Sequence, residues 1–231
     1  MAIHKAARGL APRLSRGLVL CLSISLAVLS FAACTIVKDG ASGSAAGKAV
    51  SANADGSFDA KSFVDANWSG KIAPDLAGNA AEIKDVVSAL AKDAVAAEKK
   101  YGRRGDETAP YNFVVKGRAA IRSVNTESAA GYVELDLSDV SGEGKVRLQA
   151  GPVLKGSSVR DSLSFIKFGD FVNQLDYANI SREINFHIRD KLVADLRESG
   201  LAGKTLSFVG AFTEDPSGSV LVTPVEIRIE K

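Results

Sequence analysis

Residues 17–33 form an uncharged, largely apolar run that follows four basic side chains, Lys5, Arg8, Arg13 and Arg16, and ends in small residues before Cys34. A basic stretch, an apolar stretch and a small-residue cleavage site are the three parts of a secretory signal peptide. Whatever folds here is therefore expected to fold after export and without residues 1–33. The run sits at the lower limit for a bilayer-spanning helix and no charged stop-transfer flank follows it, so cleavage is the stronger reading and a permanent anchor the weaker one. Removal also takes Cys21, which leaves Cys34 as the single cysteine and rules out an internal disulfide.

Ala32-Ala33-Cys34 resembles the bacterial lipobox, in which small residues precede a cysteine that receives a diacyl chain pair and becomes the new N-terminus. Phe31 departs from that pattern, where leucine is usual. The alternative is ordinary cleavage after Ala32, with Ser30 and Ala32 as the small pair and a soluble product. Each buried methylene contributes about 0.8 kcal/mol, so one acyl chain holds a protein marginally and two or three hold it almost permanently. With Cys34 acylated, no thiol remains for redox, nucleophilic or metal chemistry. Thr35, not aspartate, follows the cysteine, which under the enterobacterial sorting pattern permits transfer to the outer membrane and leaves inner against outer membrane open.

The formal net charge of +2 belongs to the leader. Without its four bases the chain keeps 25 basic residues against 27 acidic ones. A nucleic-acid partner would require a basic excess or stripe to neutralise phosphates, and none is expected. With 231 residues, 46% of them hydrophobic and 24% charged, the chain can bury a core of its own.

Residues 34–57, rich in Ala, Gly and Ser after the cysteine, read as a flexible tether with a root-mean-square span of roughly 25 Å. A single periplasmic domain is expected over 58–231, with a helical part at 58–101 and a barrel at 111–231. Asp59 can cap a first helix, whose Phe63, Val64, Trp68 and Ile72 follow helical spacing until Pro74 ends it. Ile83, Val86, Val87, Leu90 and Val95 form one apolar stripe of a second helix that Gly102 stops. The loop that follows, with Arg103, Arg104, Asp106 and Glu107, could cradle an anion, although such charges are more often simply solvated.

Strand chemistry then takes over at 111–123, 132–137 and 145–149, with Gly131 and Gly142 to Gly144 at the turns. Residues 163–177 are too densely apolar to assign by period. From Ile180 the helical period is clear through Ile184, Ile188, Leu192 and Leu196 to a stop at Gly200. Two more strands, at 205–212 and 220–230, close the chain around the turn 214–218. Three strands, a helix and two strands is the order of an OB-fold, a small Greek-key barrel. The expected class is α+β: an OB-like antiparallel barrel with an added N-terminal helical pair and a long helix between its third and fourth strands.

Several short segments together resemble a known family. They are Tyr101 to Arg104, Tyr111 to Phe113, Lys116-Gly117, Val124 to Ser128, Gln149 to Val153, Gly156, Arg160-Asp161, Phe165-Ile166, Phe168, Phe171, Asn173-Gln174 and Phe208 to Phe212. The pattern, from the lipobox to the C-terminus, is similar to the bacterial periplasmic lipoproteins grouped as domain of unknown function 2291. The resemblance implies a lipoprotein without assigned activity, whose genes often neighbour sugar ABC-transporter operons. It supplies no catalytic residues to carry over.

His187 is the only histidine past the leader, so neither a zinc site nor a triad is expected, and no cofactor or metal is implied. The best polar candidate is Arg160 beside Asp161 in the loop after the third strand, read either as an ion pair that fixes the loop or as a ligand-orienting pair. Asn173, Gln174 and Asn185 would add the amide donors and acceptors that suit hydroxyl-rich sugars, and Tyr177 could stack on a sugar face. Trp68, in helical register, is expected in the core. The leading expectation is a lipid-anchored, non-enzymatic binding or accessory module, held to the membrane through Cys34 and associated with a sugar ABC-transporter component or carbohydrate. The alternatives are a structural envelope lipoprotein that binds a protein or peptidoglycan glycan, and a carboxylate-based hydrolase using Asp161.

Overall fold

The computed structural model describes residues 58–105, 107–137 and 145–230. The leader, Cys34, the tether, Asp106 and the Gly142 to Gly144 turn lie outside the described residues.

The chain enters through helix α1 (Ala60–Asn67), capped as expected by Asp59, whose carboxylate accepts the Ser62 N–H at 3.1 Å. Pro74 does not end this segment. A π-turn over Trp68–Ile72 joins α1 directly to α2 (Ala73–Asn79), and Pro74 sits in the first turn of α2, where its missing N–H costs nothing. A short strand β1 (Ala81–Glu82) leads into α3 (Ile83–Lys92) and α4 (Ala94–Tyr101). The expected single stripe is thus two helices. Asp93 adopts an extended conformation (φ −157°) and turns its carboxylate onto the Ala96 N–H at 3.0 Å, capping α4, so Ile83, Val86 and Val87 are buried while Val95 is 59% exposed. Gly102 stops α4 as expected and opens strand β2 (Gly102–Arg103), antiparallel to the barrel's first strand.

Five strands close the barrel: β3 (Asn112–Asn125), β4 (Tyr132–Asp136), β5 (Val146–Gln149), β6 (Thr205–Thr213) and β7 (Val220–Ile229). They run β3-β4-β5-β7-β6 and return to β3, with β5 and β7 parallel and the other neighbours antiparallel. That is the OB order, and closure leaves no free edge among these five strands. β3 serves two neighbours in turn. Its first half pairs with β6 from Asn112↔Thr213 to Ala120↔Thr205, and from Ala120↔Asp136 to Asn125↔Tyr132 it pairs with β4, with a bulge between Ile121 and Ser123.

Between the third and fourth barrel strands come α5 (Ser158–Ser162), a 3-10 turn at Phe168–Asp170 and α6 (Gln174–Lys191). α5 packs on β3, β6 and β7. Its buried Ser158 hydroxyl donates to the Ala211 carbonyl at 3.1 Å and lies 3.3 Å from Thr223 Oγ1, which accepts from Gln149 Nε2 at 2.7 Å. These buried polar groups satisfy one another, which is the condition for keeping them in a core.

α6 buries Ile180, Ile184 and Ile188 and packs along α1, and Trp68 of the π-turn stacks on His187 at 4.0 Å between ring centroids. It does not run to Gly200. The Leu192 and Val193 N–H groups both converge on the Ile188 carbonyl, at 2.9 and 3.2 Å, and the chain turns. Val193 and Leu196 are both fully buried beyond that turn, and Gly200 (φ +78°) serves the turn before β6 instead.

Gly151 marks a close approach between chain segments. A Cβ there would stand 2.3 Å from the Gly131 nitrogen and 2.4 Å from the Ala129 carbonyl oxygen, both backbone atoms that no rotamer change can move. Gly151→Ala is expected to cost about 1–3 kcal/mol. The check is a thermal melt, in which each kcal/mol lowers Tm by about 2–4 °C; an unchanged Tm would show that the β3–β4 loop yields freely.

Candidate functional site

Where the β3–β6 ladder ends, three segments leave the barrel together and enclose a cleft of about 930 Å³. Its walls are Arg103 of β2 and Arg104 of the loop after it, the rung Asn112–Thr213, α5 with Arg160 and Asp161, the following segment with Lys167 and Phe168, and Tyr177 of α6. The volume falls in the range of small-molecule sites, roughly 300–1,000 Å³.

Arg160, Asp161 and Tyr177 form one built cluster. Arg160 Nε donates to Asp161 Oδ1 at 2.7 Å, its Nη1 donates to the Tyr177 carbonyl at 3.2 Å, and the guanidinium carbon lies 3.8 Å from the Tyr177 ring centroid. Asp161 also accepts from the Ser157 hydroxyl at 2.6 Å and the Tyr177 hydroxyl at 3.1 Å. Burial pushes the Tyr177 phenol above its usual range, with the Asp161 charge adding to the shift and Arg160 opposing it. The phenol therefore stays protonated at neutral pH and remains a donor. The carboxylate is engaged by three side chains, an arrangement that holds it in place.

The ring of Tyr177 is enclosed as well. One side carries the guanidinium, and Phe168 and Phe171 approach it at 5.4 and 5.5 Å between centroids. Asn173 and Gln174 do not line the cleft. Asn173 caps α6, its Oδ1 accepting the Asp176 N–H at 2.9 Å, and Gln174 is exposed on the first turn. Asn185 reaches the loop from the other side, donating Nδ2 to the Gly156 carbonyl at 3.0 Å.

The rest of the lining comes from residues that sequence reasoning did not single out, apart from the arginine loop. Arg103 reaches across 59 residues to donate Nη1 to the Ser162 carbonyl at 2.9 Å. Arg104 donates to the Glu107 carbonyl at 2.8 Å and covers the Tyr111 ring at 4.6 Å. Ser162 is 1% exposed, and its Oγ has no hydrogen-bond partner among the described residues. Asn112 is buried and holds its orientation through the Thr213 hydroxyl, which donates to Asn112 Oδ1 at 2.7 Å. The run Arg103-Arg104 was the one visible signal. Nothing in the sequence separates Ser162 from any other serine.

Among the described residues no group of three or more His, Cys, Asp and Glu side chains could hold a metal ion. Asp161 is the only carboxylate among the described lining residues. Among the described residues no helix is long and apolar enough to cross a membrane.

The model of a family described as "Predicted periplasmic lipoprotein (DUF2291)" matches residues 24–228. An OB-fold protein of Thermotoga maritima, known from a crystal structure, is similar over 75% of this chain and 99% of its own, with a TM-score of 0.61 and 15% sequence identity. At that identity the likeness concerns the fold alone. No curated protein matches the chain.

Proposed function

The chain belongs to the DUF2291 family of predicted periplasmic lipoproteins, and on that premise we propose that it is a lipid-anchored, non-enzymatic binding module whose cleft receives a small polar ligand of the sugar class. The observation that carries this reading is the convergence of Arg160, Asp161 and Tyr177 in an open cleft of about 930 Å³, with the Asp161 carboxylate held by Arg160, Ser157 and Tyr177. Pre-organisation of this kind lowers the entropy lost on binding. The barrel supplies a rigid frame, and OB barrels commonly serve as binding scaffolds. Tethered to a membrane, such a module would serve as an accessory to ABC-type sugar uptake, presenting ligand or docking on a transporter component.

Differential scanning fluorimetry of the mature chain against a panel of sugars tests the binding step. A ligand at ten times its Kd adds about 1.4 kcal/mol, which for a domain of this size raises Tm by roughly 3–6 °C. The increment is expected to vanish in Tyr177→Ala, which removes the ring under Arg160. Absence of any shift across the panel at millimolar concentration would count against direct binding.

A protein partner is the second reading, favoured by Phe168, Val172 and Leu175, which are 53%, 84% and 69% exposed on the segment beside the cleft. Co-purification with a transporter permease, lost when these three are changed to serine, would support it.

A further inference from the structure

The described lining of the cleft carries four cations, Arg103, Arg104, Arg160 and Lys167, against the single carboxylate of Asp161. This excess stands on a chain whose mature part holds more acids than bases. The four do not have the same role. Arg160 is already neutralised, with Nη2 2.7 Å from Asp161 Oδ1, and is spent on holding Tyr177. Arg103, Arg104 and Lys167 form no ion pair among the described residues, and the two arginines donate only to neutral carbonyls. Nearby carboxylates are committed elsewhere. Asp75 accepts from the Ser164 N–H and hydroxyl at 3.0 and 2.7 Å, and Asp170 accepts from the Lys167 N–H at 2.9 Å.

A second observation points to the same place. Ser162 lines the cleft, and its Oγ, all but fully buried, lacks a partner among the described residues, while the carbonyl of the same residue is held by Arg103. A buried hydroxyl left without a hydrogen bond costs about 1–3 kcal/mol. A ligand oxygen seated beside Arg103 would satisfy it. Guanidinium groups present paired N–H donors that match carboxylate and phosphate oxygens, and a concave wall of one charge sign focuses the field on such a group.

We infer that the cleft is selective for an acidic ligand, a small hydroxylated molecule bearing a carboxylate or phosphate group, with Arg103 and Arg104 receiving the oxyanion, Lys167 adding charge at the rim and Ser162 donating from the wall. This rests on the proposed binding role of the cleft and specifies its ligand class. The Arg160–Asp161–Tyr177 cluster then contacts the uncharged part of the ligand.

The test is isothermal titration of the detergent-solubilised mature chain with four probes: glucuronate, glucose 6-phosphate, inorganic phosphate and glucose. Glucuronate or glucose 6-phosphate is expected to bind at least tenfold more tightly than glucose, and which of the two leads identifies carboxylate or phosphate as the source of the charge. Raising the salt concentration should weaken that binding. Arg103→Gln and Arg104→Gln should each weaken it by about tenfold or more, whereas Arg122→Gln, on the barrel surface beside Asp136 at 2.8 Å, should not. Equal affinity for glucose and the acids, lost in Tyr177→Ala, would overturn the charge selectivity and leave the binding role standing. Binding of no probe would remove both. Binding of inorganic phosphate unaffected by either arginine change would also overturn the inference.

Discussion

Cys34→Ser is expected to abolish lipid attachment altogether. The lipobox-like Ala32-Ala33-Cys34 supplies a single acceptor thiol, and a serine hydroxyl cannot form the thioether through which the diacyl pair is attached. Each acyl methylene in a bilayer contributes about 0.8 kcal/mol, so losing two or three chains changes membrane partitioning by many orders of magnitude. The folded part offers no replacement anchor of the helical kind, because none of its described helices is long and apolar enough to span. Intact mass is the measurement: wild-type protein should carry a lipid increment, and the variant should lack it. A variant that still carries the lipid increment, or a wild-type mature protein of unmodified mass, would sink the lipoprotein assignment for this chain.

How much of the barrel could be read from the sequence depended on which signals were local. Alternating segments bounded by glycines placed β3, β4 and β5 within one to two residues, and the Asp215-Pro216-Ser217-Gly218 turn separated β6 from β7. Those signals act between near neighbours. Helix continuity was harder, because it depends on what the helix packs against. Asp93 fits a helix interior as well as an N-cap by composition, and only the burial of Ile83, Val86 and Val87 against the barrel decides that the chain must break there. Pro74 misled for the opposite reason: proline reads as a terminator, yet in a first turn it is compatible with the helix that follows.

The candidate site was legible in part for the same reason. Arg160 and Asp161 are adjacent, so their pairing could be anticipated, and Tyr177 lies one long loop away. Asn173 lies off the cleft, because asparagine serves equally as a helix cap and its side chain is spent on Asp176. Arg103 and Ser162 meet across 59 residues, and only the three-dimensional route of β2 against β3 brings them to one wall. The unpartnered Ser162 hydroxyl is a property of packing, with no counterpart in composition or spacing.

The largest loss of stability from a single side chain is expected for Phe113→Ala. Phe113 and Phe212 face each other across the β3–β6 ladder, in register and stacked at 5.1 Å between centroids, and both are fully buried. This ladder is the seam that closes the barrel, so the cavity left by a missing ring opens between the two strands that complete it. Phenylalanine-to-alanine changes in such positions cost about 3–5 kcal/mol. At about 2–4 °C per kcal/mol, Tm should fall by about 6–20 °C. The site should feel the change as well, because Asn112–Thr213, the next rung of the same ladder, lines the cleft and aligns it through the 2.7 Å Thr213–Asn112 hydrogen bond. Phe113→Leu, which keeps most of the volume, should recover most of both effects. Urea melts of the three proteins decide the matter: a Phe113→Ala loss below 1 kcal/mol would mean that the seam is not closed by this pair, and equal losses for Ala and Leu would mean that ring stacking, not filled volume, holds it.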